Sequence, residues 1–126
     1  MIPVVLGGDP GLHGALAVYS PEFKGCSGPS DTAGLATVYD MPITKDGSID
    51  IPALSMLVKR FAWPSTTAVV ENVHSRPRQA GAFSFGLYTG IVHGVLGAYG
   101  IPTALITPTE WKRAMGLTRG EDESKA

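Results

Sequence analysis

The chain contains one cysteine, Cys26, among its 126 residues, so no internal disulfide can form. No group of cysteines and histidines has the spacing of a zinc site. Residues 1–4 carry no basic side chain, whereas a secretory signal peptide opens with a positively charged region. These absences argue against a disulfide-stabilised secreted domain, and we expect a cytoplasmic protein.

Charged residues are also scarce, since Asp, Glu, Lys and Arg make up 17% of the chain and hydrophobic residues make up 44%. This balance argues against a disordered segment and against a coiled coil. The length is that of one globular domain, and we expect a single domain over residues 1–126. The 16 Gly and 10 Pro residues predict many turns and close backbone contacts.

Residues 80–101 contain no Asp, Glu, Lys or Arg, and the stretch is long enough to cross a membrane. However, Tyr88, Thr89 and His93 interrupt it, and its flanks lack the basic asymmetry that orients a membrane helix. We therefore expect no contact with a membrane. Four glycines in this stretch would share one face of a helix: Gly86, Gly90, Gly94 and Gly97. Such a face allows close approach to a sheet or to a second copy of the chain.

The net charge of −1 conceals an uneven distribution. Residues 1–71 carry four basic and seven acidic groups, whereas residues 72–120 carry five basic groups and one acid. A basic section that follows an acidic one is compatible with a phosphate-binding face beside carboxylates. Charges scattered over a solvated surface explain the same distribution equally well.

Hydrophobic periodicity and turn residues divide the chain into eight elements. We predict strands over residues 4–6, 14–19, 35–41, 67–72 and 103–106. We predict helices from the N-cap Asp50 to the Trp63-Pro64 pair, over residues 79–99, and over residues 108–115. Three strands followed by alternating helices and strands indicate an α/β fold, with a five-stranded mixed sheet flanked by helices.

Two carboxylates lie at predicted strand ends. Asp9 follows an apolar strand and two glycines, and Glu71 ends the strand that contains Val69 and Val70. If both strands are central neighbours, the two side chains converge at one end of the sheet, and such a pair suits Mg²⁺ or Mn²⁺ rather than zinc. The alternatives are a turn-capping Asp and a solvent-exposed Glu, and each is the better interpretation of its residue taken alone.

The segment between Glu71 and the second helix combines side chains that favour phosphate: His74, Ser75, Arg76, Arg78 and Gln79. Three aromatic residues follow, namely Phe83, Phe85 and Tyr88. One of them could stack on a nucleobase, but aromatics at this spacing usually belong to the core, and we expect that here.

Several of these segments together resemble the RuvC-type Holliday junction resolvases, and most closely their shorter, phage-type branch. The resemblance rests on residues 8–11 (GDPG), 14–18 (GALAV), 39–42 (YDMP) and 69–75 (VVENVHS), with weaker likeness at residues 100–102, 107–108 and 111–112. It covers nearly the whole chain. The first segment alone is weak, because ATPases of the sugar-kinase and Hsp70 type share it.

The resemblance implies a ribonuclease H-like fold and a homodimer that nicks opposed strands of a four-way DNA junction with Mg²⁺, for which Mn²⁺ can substitute. It implies that Asp9 and Glu71 are the catalytic, metal-binding carboxylates, and that the host is a bacterial or phage-infected cell. His74 falls where the family often has an aromatic residue at the junction. The expected DNA-binding residues are His74, Ser75, Arg76, Arg78, Gln79, Lys112, Arg113 and Arg119.

The chain departs from the family at its end. The family carries further acidic metal ligands on a C-terminal helix, whereas this sequence stops at Ala126, and we expect the domain to be incomplete there. Residues 121–123 are acidic but align with the preceding loop, so we do not assign them these roles. Two alternatives therefore stay open. One is a dimer that binds branched DNA without cutting it, and the other is an ATPase of the same fold, for which no adenosine motif is apparent.

Overall fold

The structure, a computed structural model, describes residues 3–21, 35–72 and 81–117. Its strands are β1 (Val4–Asp9), β2 (Ala15–Ser20), β3 (Leu35–Asp40), β4 (Thr66–Glu71) and β5 (Thr103–Ile106). Its helices are α1 (Ile51–Phe61), α2 (Ala82–Ala98) and α3 (Pro108–Ala114). The eight elements follow the predicted order along the chain.

The five strands form one sheet in the order β3-β2-β1-β4-β5. The pairs β1–β2 and β2–β3 are antiparallel, whereas β1–β4 and β4–β5 are parallel. The predicted mixed sheet is therefore confirmed. Its order places β1 at the centre between β2 and β4, and a parallel pair of strands ends at the same edge of a sheet.

The helix boundaries follow from capping. The Asp50 carboxylate accepts the backbone N–H of Ala53 at 3.0 Å, which satisfies a free donor in the first turn of α1. Thr107 and Glu110 form a capping box at the start of α3, as their spacing predicts. Both helices also have a proline in the first turn, where its missing N–H costs no hydrogen bond.

The hydrophobic core lies on one face of the sheet, beneath α1 and α2. Leu6 and Val70 point into this face from the two central strands, and both are fully buried. Leu54 of α1 and Leu96 of α2 are also fully buried in the core. Because side chains alternate along a strand, the residues flanking Leu6 and Val70 point to the opposite face, and this includes the residue after Val70, Glu71.

The glycine face of α2 does not pack on the sheet. A Cβ added at Gly86, Gly90, Gly94 or Gly97 meets nothing within 4 Å in the described part of the chain. The close approach occurs instead at Gly8, where an added Cβ would lie 3.3 Å from Val92 Cγ1. Gly8 therefore lets α2 cross β1 directly beside Asp9. Within the described residues, no helix is long and apolar enough to cross a membrane.

Strand β1 extends three residues beyond the predicted residues 4–6. Gly7 and Gly8 lack the side chains by which a strand is identified in a sequence, yet they pair with Ala17 and Leu16 of β2. Gly7 and Gly8 also pair with the parallel strand β4 on the other side. Backbone pairing with β2 and β4 keeps both glycines extended, so the strand continues through them to Asp9.

Candidate functional site

Asp9 and Glu71 are the last residues of adjacent parallel strands. The paired residues Gly8 and Val70 precede them, so the two carboxylates follow in the same register at the same edge of the sheet. Asp9 is exposed and Glu71 is half-buried. The convergence expected from the sequence is thus present in the fold, on the face opposite the core.

The electrostatics of Asp9 reflect this placement. Partial desolvation of its carboxyl group raises the pKa of Asp9 above the ordinary value, and the negative charge of Glu71 raises it further. The described residues donate no hydrogen bond to the Asp9 carboxylate that would offset these effects. The interpretation of Asp9 as a turn cap is therefore not supported, because the turn is closed by backbone groups: Gly14 N–H donates to the Gly11 carbonyl at 3.1 Å.

Gly14 holds the turn after Asp9 in a conformation that no other residue fits. A Cβ at Gly14 would lie 1.9 Å from the Asp9 carbonyl oxygen and 3.2 Å from the Gly11 carbonyl oxygen. The Gly14 carbonyl also accepts the Met41 N–H at 3.0 Å, which ties the turn to the end of β3. The Asp9 carbonyl thus packs tightly against Gly14, which is itself tied to the end of β3.

Trp111 contacts Glu71 directly. Its indole N–H donates a hydrogen bond of 3.1 Å to Glu71 Oε1, across 40 residues of sequence. The contact arises because Glu71 pairs with Ile106 at the end of β5, and α3 begins two residues later. Sequence reasoning did not assign this role to Trp111, although the strand pairing and the Thr107 cap together were the signal for it.

A shallow cavity of about 270 Å³ lies over this pair of carboxylates. Its lining is formed by four strands (β2, β1, β4 and β5) and by α3: Gly7, Gly8, Asp9, Ala15, Ala17, Val69, Glu71, Ile106 and Trp111. The small side chains around Asp9 leave room for a ligand above the two carboxylates, and Trp111 lines the cavity beside Glu71.

The donor set fits a hard divalent cation. Two carboxylates at the same register position of adjacent strands offer oxygen ligands of the kind that such a cation prefers. Glu71 keeps one oxygen, Oε2, free of the Trp111 hydrogen bond. In the described ranges no group of three or more His, Cys, Asp or Glu side chains forms a fuller ligand set. Asp9 and Glu71 would therefore hold the cation, with water and a substrate oxygen as the remaining ligands.

Replacing Trp111 with Phe removes the hydrogen-bond donor and keeps an aromatic ring. We expect Mn²⁺ affinity to fall about tenfold because the Glu71 carboxylate loses its fixed orientation. This is the lower end of the loss of metal affinity that is typical when a residue hydrogen-bonded to a metal ligand is replaced. Electron paramagnetic resonance of free Mn²⁺ measures this. The matched control is Trp63→Phe, at the only other tryptophan, which is 42% exposed and does not line the cavity. Equal Mn²⁺ affinity in Trp111→Phe and wild type would remove this role from the indole.

The other predicted site residues divide into two groups. Lys112 and Arg113 are exposed in the last turn of α3, and Lys112 Nζ lies 5.8 Å from the centre of the Trp111 ring. Lys112 therefore lies beside Trp111, which lines the cavity. The remaining predicted DNA-binding residues lie outside the described ranges: His74, Ser75, Arg76, Arg78, Gln79 and Arg119. The acidic residues 121–123 also lie outside them.

The aromatic residues of α2 do not all belong to the core. Phe83 is 82% exposed and Phe85 is 41% exposed, whereas Tyr88 is half-buried and packs against the core. The expectation of a core role is wrong for Phe83 and Phe85. Phe83 lies on the glycine face of α2, which does not pack on the sheet, whereas Phe85 borders the turn between β1 and β2.

No protein-family model matches this chain, and no curated protein matches its sequence. Solved structures resemble its fold, and two of them are structures of RuvC. The Thermus thermophilus RuvC structure aligns with a TM-score of 0.61 at 22% identity, over 95% of this chain and 74% of RuvC. T. thermophilus RuvC in complex with Holliday junction substrate aligns with a TM-score of 0.62 at 18% identity, over 94% and 80% of the two chains. The chain therefore has the α/β, ribonuclease H-like fold of RuvC.

Proposed function

We propose that this protein is a structure-selective DNA endonuclease that resolves four-way junctions by metal-dependent phosphodiester hydrolysis. The observation that carries the proposal is the convergence of Asp9 and Glu71 at the ends of adjacent parallel strands in a RuvC-like fold. The RuvC complex with Holliday junction substrate supports branched DNA as the substrate class.

Each residue of the site has a distinct task in this reaction. Asp9 and Glu71 would hold Mg²⁺, or Mn²⁺ in its place, and Trp111 orients the Glu71 carboxylate through its indole N–H. When bound, the cation supplies Lewis-acid stabilisation of the charge that develops on the scissile phosphate. Lys112 and Arg113 contact the DNA backbone as positive charges, which position a duplex without reading its sequence. We assign the same task to His74, Ser75, Arg76, Arg78, Gln79 and Arg119 as part of the proposal.

With only two carboxylates among the described residues, the site would bind a cation weakly in the absence of DNA. A substrate phosphate oxygen would add a ligand, so metal binding and DNA binding would reinforce each other. The direct test of function is a nicking assay with a four-way junction and a linear duplex of matched sequence, each with Mg²⁺, Mn²⁺ or EDTA. We expect nicks in the junction alone and only with metal. Absence of nicking in a sample that binds the junction would exclude the nuclease.

Junction binding without nicking is the result expected for the second candidate, a branched-DNA-binding protein without nuclease activity. The observation that favours it is the ligand set, since the described residues bring only two carboxylates together. A gel shift with the same junction, run beside the nicking assay, separates the two candidates. Either activity would act on DNA in the cytoplasm of a bacterial or phage-infected cell.

We also propose that the protein acts as a homodimer, which would place two active sites on opposed strands of a junction. The exposed glycine face of α2 is the surface we assign to the dimer, because Phe83 and Leu87 on the same face are 82% and 47% exposed. Gly90 lies near the middle of this face, and its small size allows two helices to pack closely.

Gly90→Arg tests this assignment. A side chain at Gly90 meets nothing within 4 Å in the described structure, so the monomer should fold normally, whereas a dimer should weaken at least about tenfold because the helices cannot approach. Sedimentation equilibrium over a concentration series measures the change. The control is Met56→Arg on the exposed face of α1, where Met56 is 70% exposed. A wild-type mass of 13.2 kDa at every concentration would contradict the proposal.

A further inference from the structure

A second cavity, of about 370 Å³, lies between the β1–β2 turn and the first turns of α2. Its lining consists of the turn residues and two aromatic side chains: Asp9, Pro10, Gly11, Leu12, His13, Gly14, Phe85 and Tyr88. The first cavity and this one have Asp9 in common, which therefore stands at the boundary between them.

Phe85 forms one wall of this second cavity for a geometric reason. It precedes Val92 by seven residues and Leu96 by eleven, so all three lie on the same side of α2. Val92 and Leu96 are buried against the sheet, whereas Phe85 lies about 10 Å earlier along the helix axis, beyond the strand ends. Its ring is 41% exposed although it faces the sheet side of the helix.

The chemistry of the lining matches a planar aromatic ligand. Of the described residues that line this space, two are aromatic, one is His13 and none is Lys or Arg, so these residues offer no fixed counter-charge to a free phosphate. The carboxylate of Asp9 at the edge also disfavours an anion. A nucleobase has an uncharged π-face that stacks on aromatic side chains, and polar edges that can reach the imidazole.

We propose that this cavity binds one nucleobase of the DNA strand whose phosphate lies at Asp9 and Glu71. The inference rests on the proposed function and adds a base-binding subsite to it. Asp9 lines this cavity. A base that neighbours a phosphate bound at Asp9 therefore lies close to the cavity.

Photocross-linking tests the position of the base. Four-way junctions carry 5-iodouracil at single thymine positions near the crossover, and Ca²⁺ replaces Mg²⁺ to permit binding without cleavage. We expect a cross-link from one position to a peptide that contains Phe85, Tyr88 or His13, identified by mass spectrometry. Cross-links confined to other peptides at every position tested would overturn the proposal.

Phe85→Ala tests the energetic role of the ring. We expect junction binding to weaken about 5- to 10-fold, the low end for loss of one base–aromatic stack, and the cross-link to disappear. Phe85→Tyr keeps the ring and should bind as wild type does. The matched control is Tyr99→Ala, at a 37%-exposed aromatic after the other end of α2. Equal binding by Phe85→Ala and wild type would contradict the subsite.

The same experiment separates a failure of the subsite from a failure of the proposed function. Wild type that does not bind four-way junctions in Ca²⁺ overturns both. Wild type that binds junctions, with Phe85→Ala binding equally well and no cross-link to α2 or the β1–β2 turn, overturns the subsite alone. Circular dichroism of each variant distinguishes loss of the ring from loss of the helix.

Discussion

Asp9→Asn is expected to abolish Mg²⁺-dependent nicking of four-way junctions while leaving junction binding intact. The amide keeps the shape of the side chain but removes the negative charge that holds a divalent cation, and we expect the rate to fall at least about a thousandfold. Single-turnover nicking and gel shifts on the same preparation measure the two properties. Nicking at the wild-type rate would remove Asp9 from the mechanism.

The same substitution should stabilise the fold at neutral pH. Because the pKa of Asp9 is raised in the folded state, ionisation of Asp9 opposes folding above that pKa, and this penalty is lost as pH falls below the ordinary carboxyl value. We expect Asp9→Asn to raise Tm by about 1–3 °C at pH 7, a small gain because the site is open to solvent, and to have no effect near pH 3. Loss of activity with a gain in stability excludes unfolding as the cause.

The matched control is Asp40→Asn. Asp40 ends β3 and pairs with Ala15, which in turn pairs with Asp9, so both acids lie in one row across the sheet. Two strand spacings, about 10 Å, separate them, and Asp40 lies on the side of Asp9 away from Glu71. Asp40→Asn should therefore retain nicking. A loss as large as that of Asp9→Asn would show that removal of any acid at this edge inactivates the protein.

Gly14→Ala is expected to have the largest effect on stability. The added Cβ would lie 1.9 Å from the Asp9 carbonyl oxygen, and the neighbouring atoms are backbone rather than flexible side chain. The turn must therefore shift, and we expect the free energy of unfolding to fall by about 3 kcal/mol or more. Urea denaturation measures this change, and the displaced Asp9 should lower nicking in the fraction that still folds.

Gly7→Ala is the control for that substitution. Gly7 lies in β1 two residues before Asp9, but an added Cβ there has only an ordinary contact, 3.9 Å to Ala17 Cβ. We expect the free energy of unfolding of Gly7→Ala to differ from that of wild type by less than about 1 kcal/mol. The methyl group fits the folded protein, and alanine lowers the conformational entropy of the unfolded chain. If both variants unfold at the same urea concentration, the turn geometry described for Gly14 is wrong.

The sequence predicted the order of elements and the placement of Asp9 and Glu71 at strand ends, because these depend on local signals. Asp50 and the Thr107–Glu110 pair indicate where two helices start. Their side chains form hydrogen bonds with residues fewer than four positions away in the sequence. Apolar runs ahead of Asp9 and Glu71 identify the central strands. Where the chemistry that forms an element lies within a few residues, the sequence alone indicates the element.

The features that the sequence did not predict depend on contacts between distant segments. The Trp111–Glu71 hydrogen bond joins residues 40 positions apart and requires the pairing of β4 with β5. The exposure of Phe85 depends on where the sheet ends beneath α2. The extension of β1 through Gly7 and Gly8 depends on backbone bonds to two other strands. None of these is encoded by the spacing of side chains along one element.

The central claim is that Asp9 and Glu71 together bind one divalent cation at the site of DNA cleavage. Anomalous scattering from crystals of the wild-type protein with a four-way junction and Mn²⁺ tests it most directly. We predict a manganese peak within about 2.2 Å of a carboxylate oxygen from each residue, with a DNA phosphate oxygen as a further ligand. A junction-bound crystal with manganese only at other positions, or with the two carboxylates on different ions far from any phosphate, would contradict the account.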